Sequence, residues 1–250
     1  MALLLACTAH AGQVVWQRTN DWTPGVVQGS TTNNPGPAHG IPAVWKYEWT
    51  QGGPLGSSNP WYAQPRTTSK WDQLWWQTGT GAWTSDDDSG PPIMQDRIIH
   101  NLHTSTYDSV PVVSWINPMG DGTQVNVSGS LRLRWSGGQG LGFPVDVDVV
   151  VGVQDAFTGI VTPLLSGTFS KPSGVPSINE ELLISVDGKG SVTLDAGDMI
   201  IVTHRAREAF GPIGMWATVF DDVSITLVPA PGAAALFGLA GLIAGTRRRR

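Results

Sequence analysis

The sequence predicts an all-β fold: a jelly-roll-like antiparallel β-sandwich with a Trp/Gly/Pro-rich loop region and a short apolar helix at the C-terminus. Three observations carry that expectation. Through the later half of the chain, apolar residues recur at every second position, the period of a strand with one buried face. Of 250 residues 31 are Gly and 18 are Pro, while only 14% are charged, a balance that suits short strands joined by turns and long loops. Outside residues 228–250, no window carries apolar residues at helical spacing.

Taken in order, residues 1–11, MALLLACTAHA, read as a partial signal peptide. Ala9-His10-Ala11 matches the small-x-small pattern of a signal peptidase site, with cleavage before Gly12. No Lys or Arg precedes the apolar run, which is also short, as it would be if the true start codon lay upstream. Leu4-Leu5-Ala6-Cys7 supports the rival reading of a lipoprotein box acylated at Cys7. Cys7 is the one cysteine of the chain, so the body beyond it has no disulfide and no thiol chemistry.

Residues 12–110 are Trp-rich loops with a few strands. Nine of the twelve tryptophans lie from Trp16 to Trp83, interleaved with Gly, Pro, Ser, Thr and Asn. Residues 111–227 hold the regular strands. Val125, Val127, Leu131, Leu133 and Trp135 face one way and Asn126, Ser128, Ser130, Arg132 and Arg134 the other, with a bulge or bend expected at Gly129. Val145, Val147, Val149, Val151 and Val153 repeat the pattern, with Asp146 and Asp148 opposite. Ile184 and Val186 precede Asp187-Gly188-Lys189-Gly190-Ser191, and Val192 and Leu194 follow, which predicts a hairpin with Val186 opposite Val192. Residues 199–203 and 223–227 supply two further strands. No linker or change of composition divides residues 12–227, which read as a single domain large enough for its own core.

Charge excludes one class of partner. Without its last four residues the chain has 11 Lys+Arg against 20 Asp+Glu, a net of −9. A body that acidic repels a phosphate backbone, so nucleic acid is not an expected partner.

Residues 228–250 read VPAPGAAALFGLAGLIAGTRRRR. The apolar run, residues 232–245, would form a helix roughly 21 Å long at 1.5 Å per residue. A hydrocarbon core about 30 Å thick asks for about 20 residues, so this run suits a temporary hold better than a durable anchor. Arg247, Arg248, Arg249 and Arg250 would keep its end on the cytoplasmic side and orient the body outward. Pro229-Ala230-Pro231, the apolar run and the terminal Arg cluster together resemble the PEP-CTERM sorting signal of Gram-negative bacteria. The resemblance implies that an exosortase at the inner membrane recognises and processes the segment. Ala230 stands where that family usually has Glu. An ordinary tail anchor is the alternative. The strands of residues 110–227 are similar to the sandwich bodies common in PEP-CTERM proteins, which in turn look like galactose-binding-like and carbohydrate-binding modules. That resemblance bears on fold more than on function.

The densest candidate site is residues 59–83, with Trp61, Tyr62, Trp71, Trp75, Trp76 and Trp83. Aromatic faces stack on the C–H face of sugar rings, which makes this a candidate glycan platform. The plainer reading is that these rings fill the core, Trp71 and Trp75 packing on one helical turn. Asp86, Asp87 and Asp88 offer carboxylates to a structural Ca²⁺, but adjacent aspartates on extended chain point in opposing directions, so a solvated acidic turn is the plainer reading. Asp121-Gly122 and Asp221-Asp222 are read the same way. His100, His103, His39 and His204 lack the companion ligands of a zinc site and read as ordinary loop or strand histidines. Residues 137–142, GGQGLG, join two strands and read as a hairpin or crossover loop rather than a phosphate cradle. No G-x-S-x-G, H-E-x-x-H or P-loop motif occurs, and no cofactor is expected.

The expected function is therefore a non-enzymatic protein of the Gram-negative envelope or extracellular matrix, held transiently at the membrane through its C-terminus. A carbohydrate-binding module for exopolysaccharide is the first alternative. A glycoside hydrolase or lyase is the second, because the spacing of catalytic carboxylates belongs to the fold and not to the sequence.

Overall fold

A computed structural model describes residues 14–26, 30–51, 71–73, 75–77, 82–84, 93–94, 98–103, 109–135, 145–171, 182–185, 191–208 and 215–228. Those residues are all-β, without a helix. The strands are β1 (Val15–Gln17), β2 (Gly36–Ala38), β3 (Ile41–Gln51), β4 (Trp71–Gln73), β5 (Trp75–Gln77) and β6 (Ala82–Thr84). They continue with β7 (Ile93–Met94), β8 (Ile98–His103), β9 (Ser109–Ile116), β10 (Thr123–Ser128), β11 (Ser130–Trp135) and β12 (Val145–Gln154). The last are β13 (Val161–Lys171), β14 (Leu182–Ser185), β15 (Ser191–Leu194), β16 (Met199–Glu208), β17 (Met215–Asp221) and β18 (Ser224–Leu227).

All pairings are antiparallel and fall into three hydrogen-bonded groups, ordered β1-β18-β10-β15, β14-β11-β17-β8-β7-β6-β5 and β13-β12-β16-β9-β3-β2, with β4 also on β3. The first two groups are halves of one bent layer. A single register offset pairs Val125 with Leu227, Ser128 with Ser224 and Leu131 with Asp221, so β10 runs into β11 opposite β17 running into β18. Gly129 sits at the bend with φ 121°, where any other L-residue is strained. Along the chain, β9 lies in one layer, β10 and β11 in the other, β12 and β13 back in the first, then β14 and β15, β16, and β17 with β18 alternate again. Four-strand orders β1-β18-β10-β15 and β9-β16-β12-β13, reached by those crossings, are those of an eight-stranded jelly roll.

The core lies between the layers. Trp16, Val44, Trp45, Tyr47, Val113, Trp115, Val125, Val127, Leu131, Val147, Val149, Val151, Leu194, Ile200, Val202 and Ile225 pack into it. The expected alternation is present: Val125, Val127 and Leu131 are buried, while Asn126 is exposed and Ser128 and Arg132 are half-buried. Sheet β13-β12-β16-β9-β3-β2 is buried on its other face too, where Val112, Val161, Met199 and Ile201 form one cluster and Val110 and Val150 another. Glu48 is buried on that strand system and Lys46 Nζ lies 2.6 Å from its carboxylate.

Two expectations are corrected. Residues 184–194 do not form a hairpin. Ile184 pairs with Leu131 on β11, and Val192 pairs with Val125 on β10, so β14 and β15 follow the bent strand one after the other instead of pairing together. Trp71 and Trp75 do not share a helical turn, because both belong to extended segments: Trp71 pairs with Thr50 and Trp75 with Thr84, in different sheets. Residues 137–142 lie outside the described residues; the strands on either side of them, β11 and β12, belong to different layers.

Candidate functional site

Of the aromatic candidates, Trp71, Trp75, Trp76 and Trp83 fall on β4, β5 and β6, and Trp76 is the register partner of Trp83. Trp61 and Tyr62 lie outside the described residues, as do Asp86, Asp87 and Asp88. The same holds for Ala9, Ala11, Pro229, Ala230, Pro231 and residues 247–250. His100 and His103 lie on β8, His204 is buried on β16, and His39 occupies the β2–β3 turn. Among the described residues no group of three His, Cys, Asp or Glu side chains is placed to hold a metal ion.

What the fold does bring together is one end of the sandwich. Three connections meet there: residues 117–122 between β9 and β10, 155–160 between β12 and β13, and 195–198 between β15 and β16. They are bound to each other rather than merely adjacent. Asn117, buried, donates from its backbone N–H to Asp198 O (2.8 Å) and from Nδ2 to Gly120 O (2.9 Å) and Asp195 O (2.8 Å). Asp121 Oδ1 accepts from Ala196 N–H (2.8 Å), and Asp198 accepts from Ala156 N–H (2.9 Å) and Asp195 N–H (2.8 Å). Each carboxylate thus satisfies backbone donors that a tight turn leaves unpaired.

Asp155 organises its own loop. Its Oδ1 accepts from Phe157 N–H (3.0 Å), Thr158 N–H (2.6 Å) and the Thr158 hydroxyl (2.8 Å). Those bonds, the Thr158 N–H foremost, hold the Asp155 carboxyl below its ordinary pKa, because they favour the ionised form. Gln154, buried at the end of β12, donates to Gly159 O (3.1 Å) and closes the loop from inside.

A second knot ties the N-terminal strand to β3 and to the β2–β3 turn. Asp21 Oδ2 accepts from Gln17 N–H (2.9 Å) and from the Trp45 indole N–H (3.2 Å). His39 Nε2 lies 3.0 Å from Val15 O and 3.5 Å from Asp21 Oδ1; both neighbours are acceptors, which assigns the proton to Nε2. The His39 ring stands edge-on to Trp16, with centroids 5.9 Å apart. Sequence reading missed this arrangement because its members come from residues 15–45 and share no motif. Nor did it foresee the grouping of Asp121, Asp155, Asp195 and Asp198, for which no local signal exists.

No family model and no curated protein matches the chain. Among solved structures the chain is similar to that of the infectious bursal disease virus Gx strain, at 10% identity and a TM-score of 0.30, over 82% of this chain and 56% of that one. It is also similar to the infectious bursal disease virus VP2 subviral particle, at 9% identity and a TM-score of 0.24, over 89% of this chain and 71% of that one. The chain thus spans little more than half the length of the first of these. Likeness at those scores carries no argument, and the jelly-roll assignment rests on the strand order.

Proposed function

We propose that the protein is an exported, non-enzymatic component of the Gram-negative envelope or extracellular matrix, delivered through residues 228–250 by an exosortase at the inner membrane. One observation supports reading that segment as separable. The fold is closed by β18, which lies between β1 and β10, and Val228 N–H still bonds Gln124 O at 2.9 Å. Removing residues 229–250 therefore leaves every described strand of the sandwich in place. The test is intact-mass and C-terminal peptide analysis of protein recovered from its host. Loss of everything beyond the 228–231 region is the expected result, and recovery of residues 247–250 still attached sinks the reading.

A second reading is a carbohydrate-binding module for exopolysaccharide. It is favoured by Trp76 standing opposite Trp83 in the register of β5 and β6, with β5 the outermost described strand of its sheet. Acrylamide quenching separates the two: this reading requires a quenchable tryptophan population that a bound polysaccharide protects. A fully protected fluorescence removes it.

A further inference from the structure

Six large apolar side chains are exposed among the described residues: Val14, Val15, Val26, Met119, Phe157 and Ile160. Five of the six lie at one end of the sandwich. Met119 and Ile160 sit in the joined connections, each about half exposed, and Phe157 stands at the tip of its loop at 94% exposure. Val14 and Val15 join them through β1, since Leu227 N–H bonds Val14 O at 3.1 Å and Val15 pairs with Thr226. Phe157 projects although its own backbone N–H is fixed by Asp155, so its exposure follows from a built turn.

The last described residue lies at the same place. Val228 is held beside Gln124, two residues past the 117–122 connection. Residues 229–231 separate it from the apolar run at 232–245. At roughly 3.3–3.6 Å per residue, that spacer reaches at most about 14 Å. If residues 232–245 are inserted in a bilayer, the end bearing Phe157 has to lie at the bilayer surface.

We propose that this end of the sandwich is a lipid-contacting face, seated on a zwitterionic headgroup surface while the C-terminal segment is inserted; this rests on the reading of residues 228–250 as a membrane-held signal. Apolar tips in a polar rim are what an interfacial contact requires, with Phe157 entering the headgroup boundary deepest. The rim selects the lipid. Asp121, Asp155, Asp195 and Asp198 are accompanied by no Lys or Arg in residues 117–123, 155–160 or 195–198. Anionic headgroups are repelled by that rim, whereas the ammonium groups of phosphatidylethanolamine can pair with it.

The experiment uses the full chain with Cys7→Ser and an environment-sensitive fluorophore on Ala156→Cys, beside Phe157. A second preparation carries the fluorophore on Ser170→Cys, which is exposed near the far end of β12. Flotation with vesicles of phosphatidylethanolamine and phosphatidylcholine reads insertion of residues 232–245. Fluorescence then reads the face. Support is a floating protein with a blue-shifted emission at position 156, quenched by lipid-borne quencher and unchanged at position 170. The shift should fall with Phe157→Ser and with added phosphatidylglycerol. A protein that floats with its position-156 spectrum unaltered overturns the face and leaves the anchor standing. A protein that does not float overturns the membrane-held reading and the face with it. A shift that appears without vesicles and vanishes when Arg247, Arg248, Arg249 and Arg250 are changed to Gln makes the chain's own cationic tail the occupant, which also overturns the proposal.

Discussion

Gly129 and Asp222 face each other across the bend of the β10–β11 and β17–β18 pair: the Asp222 carbonyl oxygen occupies the space a side chain on Gly129 would need. Asp222 N–H donates to Ser130 O (3.0 Å), and its carboxylate takes the Arg132 Nη2 at 2.6 Å. The backbone bonds keep the register unbroken through the corner, and the glycine lets the strands turn without an inserted residue.

Gly129→Ala is therefore expected to destabilise by about 2–4 kcal/mol, since it combines a positive φ with a backbone overlap that no rotamer relieves. Chemical unfolding checks this. Arg132→Ala, which removes a part-exposed ion pair, should cost about 0–1 kcal/mol by the same measurement.

Asn34 substitutes for a strand. Its side-chain amide donates to Tyr47 O (2.6 Å) and accepts from Tyr47 N–H (2.8 Å), continuing the β2–β3 ladder at the position before Pro35, which has no N–H to give. Asn34→Ala leaves two buried backbone groups of Tyr47 without these partners, and a loss of about 2–4 kcal/mol is expected. Asn34→Asp should fail to rescue, because it sets a carboxylate against the Tyr47 carbonyl. Thermal unfolding of the two variants side by side tests this.

Acid should loosen the 155–160 loop before the core. The Asp155 carboxyl is held below its ordinary value, so its contribution is fully present above the ordinary aspartate range and is lost as pH falls through the lowered value. Amide exchange at Phe157 and Thr158, corrected for intrinsic rates, is expected to accelerate over that descent. Asp155→Asn should give the faster exchange at neutral pH and little further change on acidification.

Leu131 is fully buried one turn of the pleat beyond the bend, among Val127, Val223 and Ile225 in the same core. Leu131→Ala should cost about 2–5 kcal/mol from lost burial and the cavity left behind. Leu131→Met should cost under about 1.5 kcal/mol. A denaturant midpoint that moves equally for both would contradict tight packing there.

The legible parts of this fold are the strands with one wet face. Val125 and Val127 announce β10 because Asn126 between them reaches solvent. β3 is concealed for the opposite reason. Val44 and Trp45 are both buried, as are Tyr47 and Glu48, so neighbouring residues on opposite faces are apolar or paired and period two disappears. The misread 184–194 hairpin has a different cause. A Gly-rich, polar spacer serves a reversal and a corner equally well, and only the partner strand decides between them; here the partner is the long bent strand, which takes β14 and β15 in succession. The acidic end was beyond local reading because its carboxylates come from three connections that only the layer crossings bring together.

The pairing of Val15 with Thr226 joins the first described strand to the last. Because β18 is also the inner strand between β1 and β10, the sheet has a gap until the end of the body has been synthesised. Contacts between such distant parts of a chain are slow to form, since the loop must close before the contacts repay it. A chain built this way completes that sheet late, after nearly all of the described strands have been made.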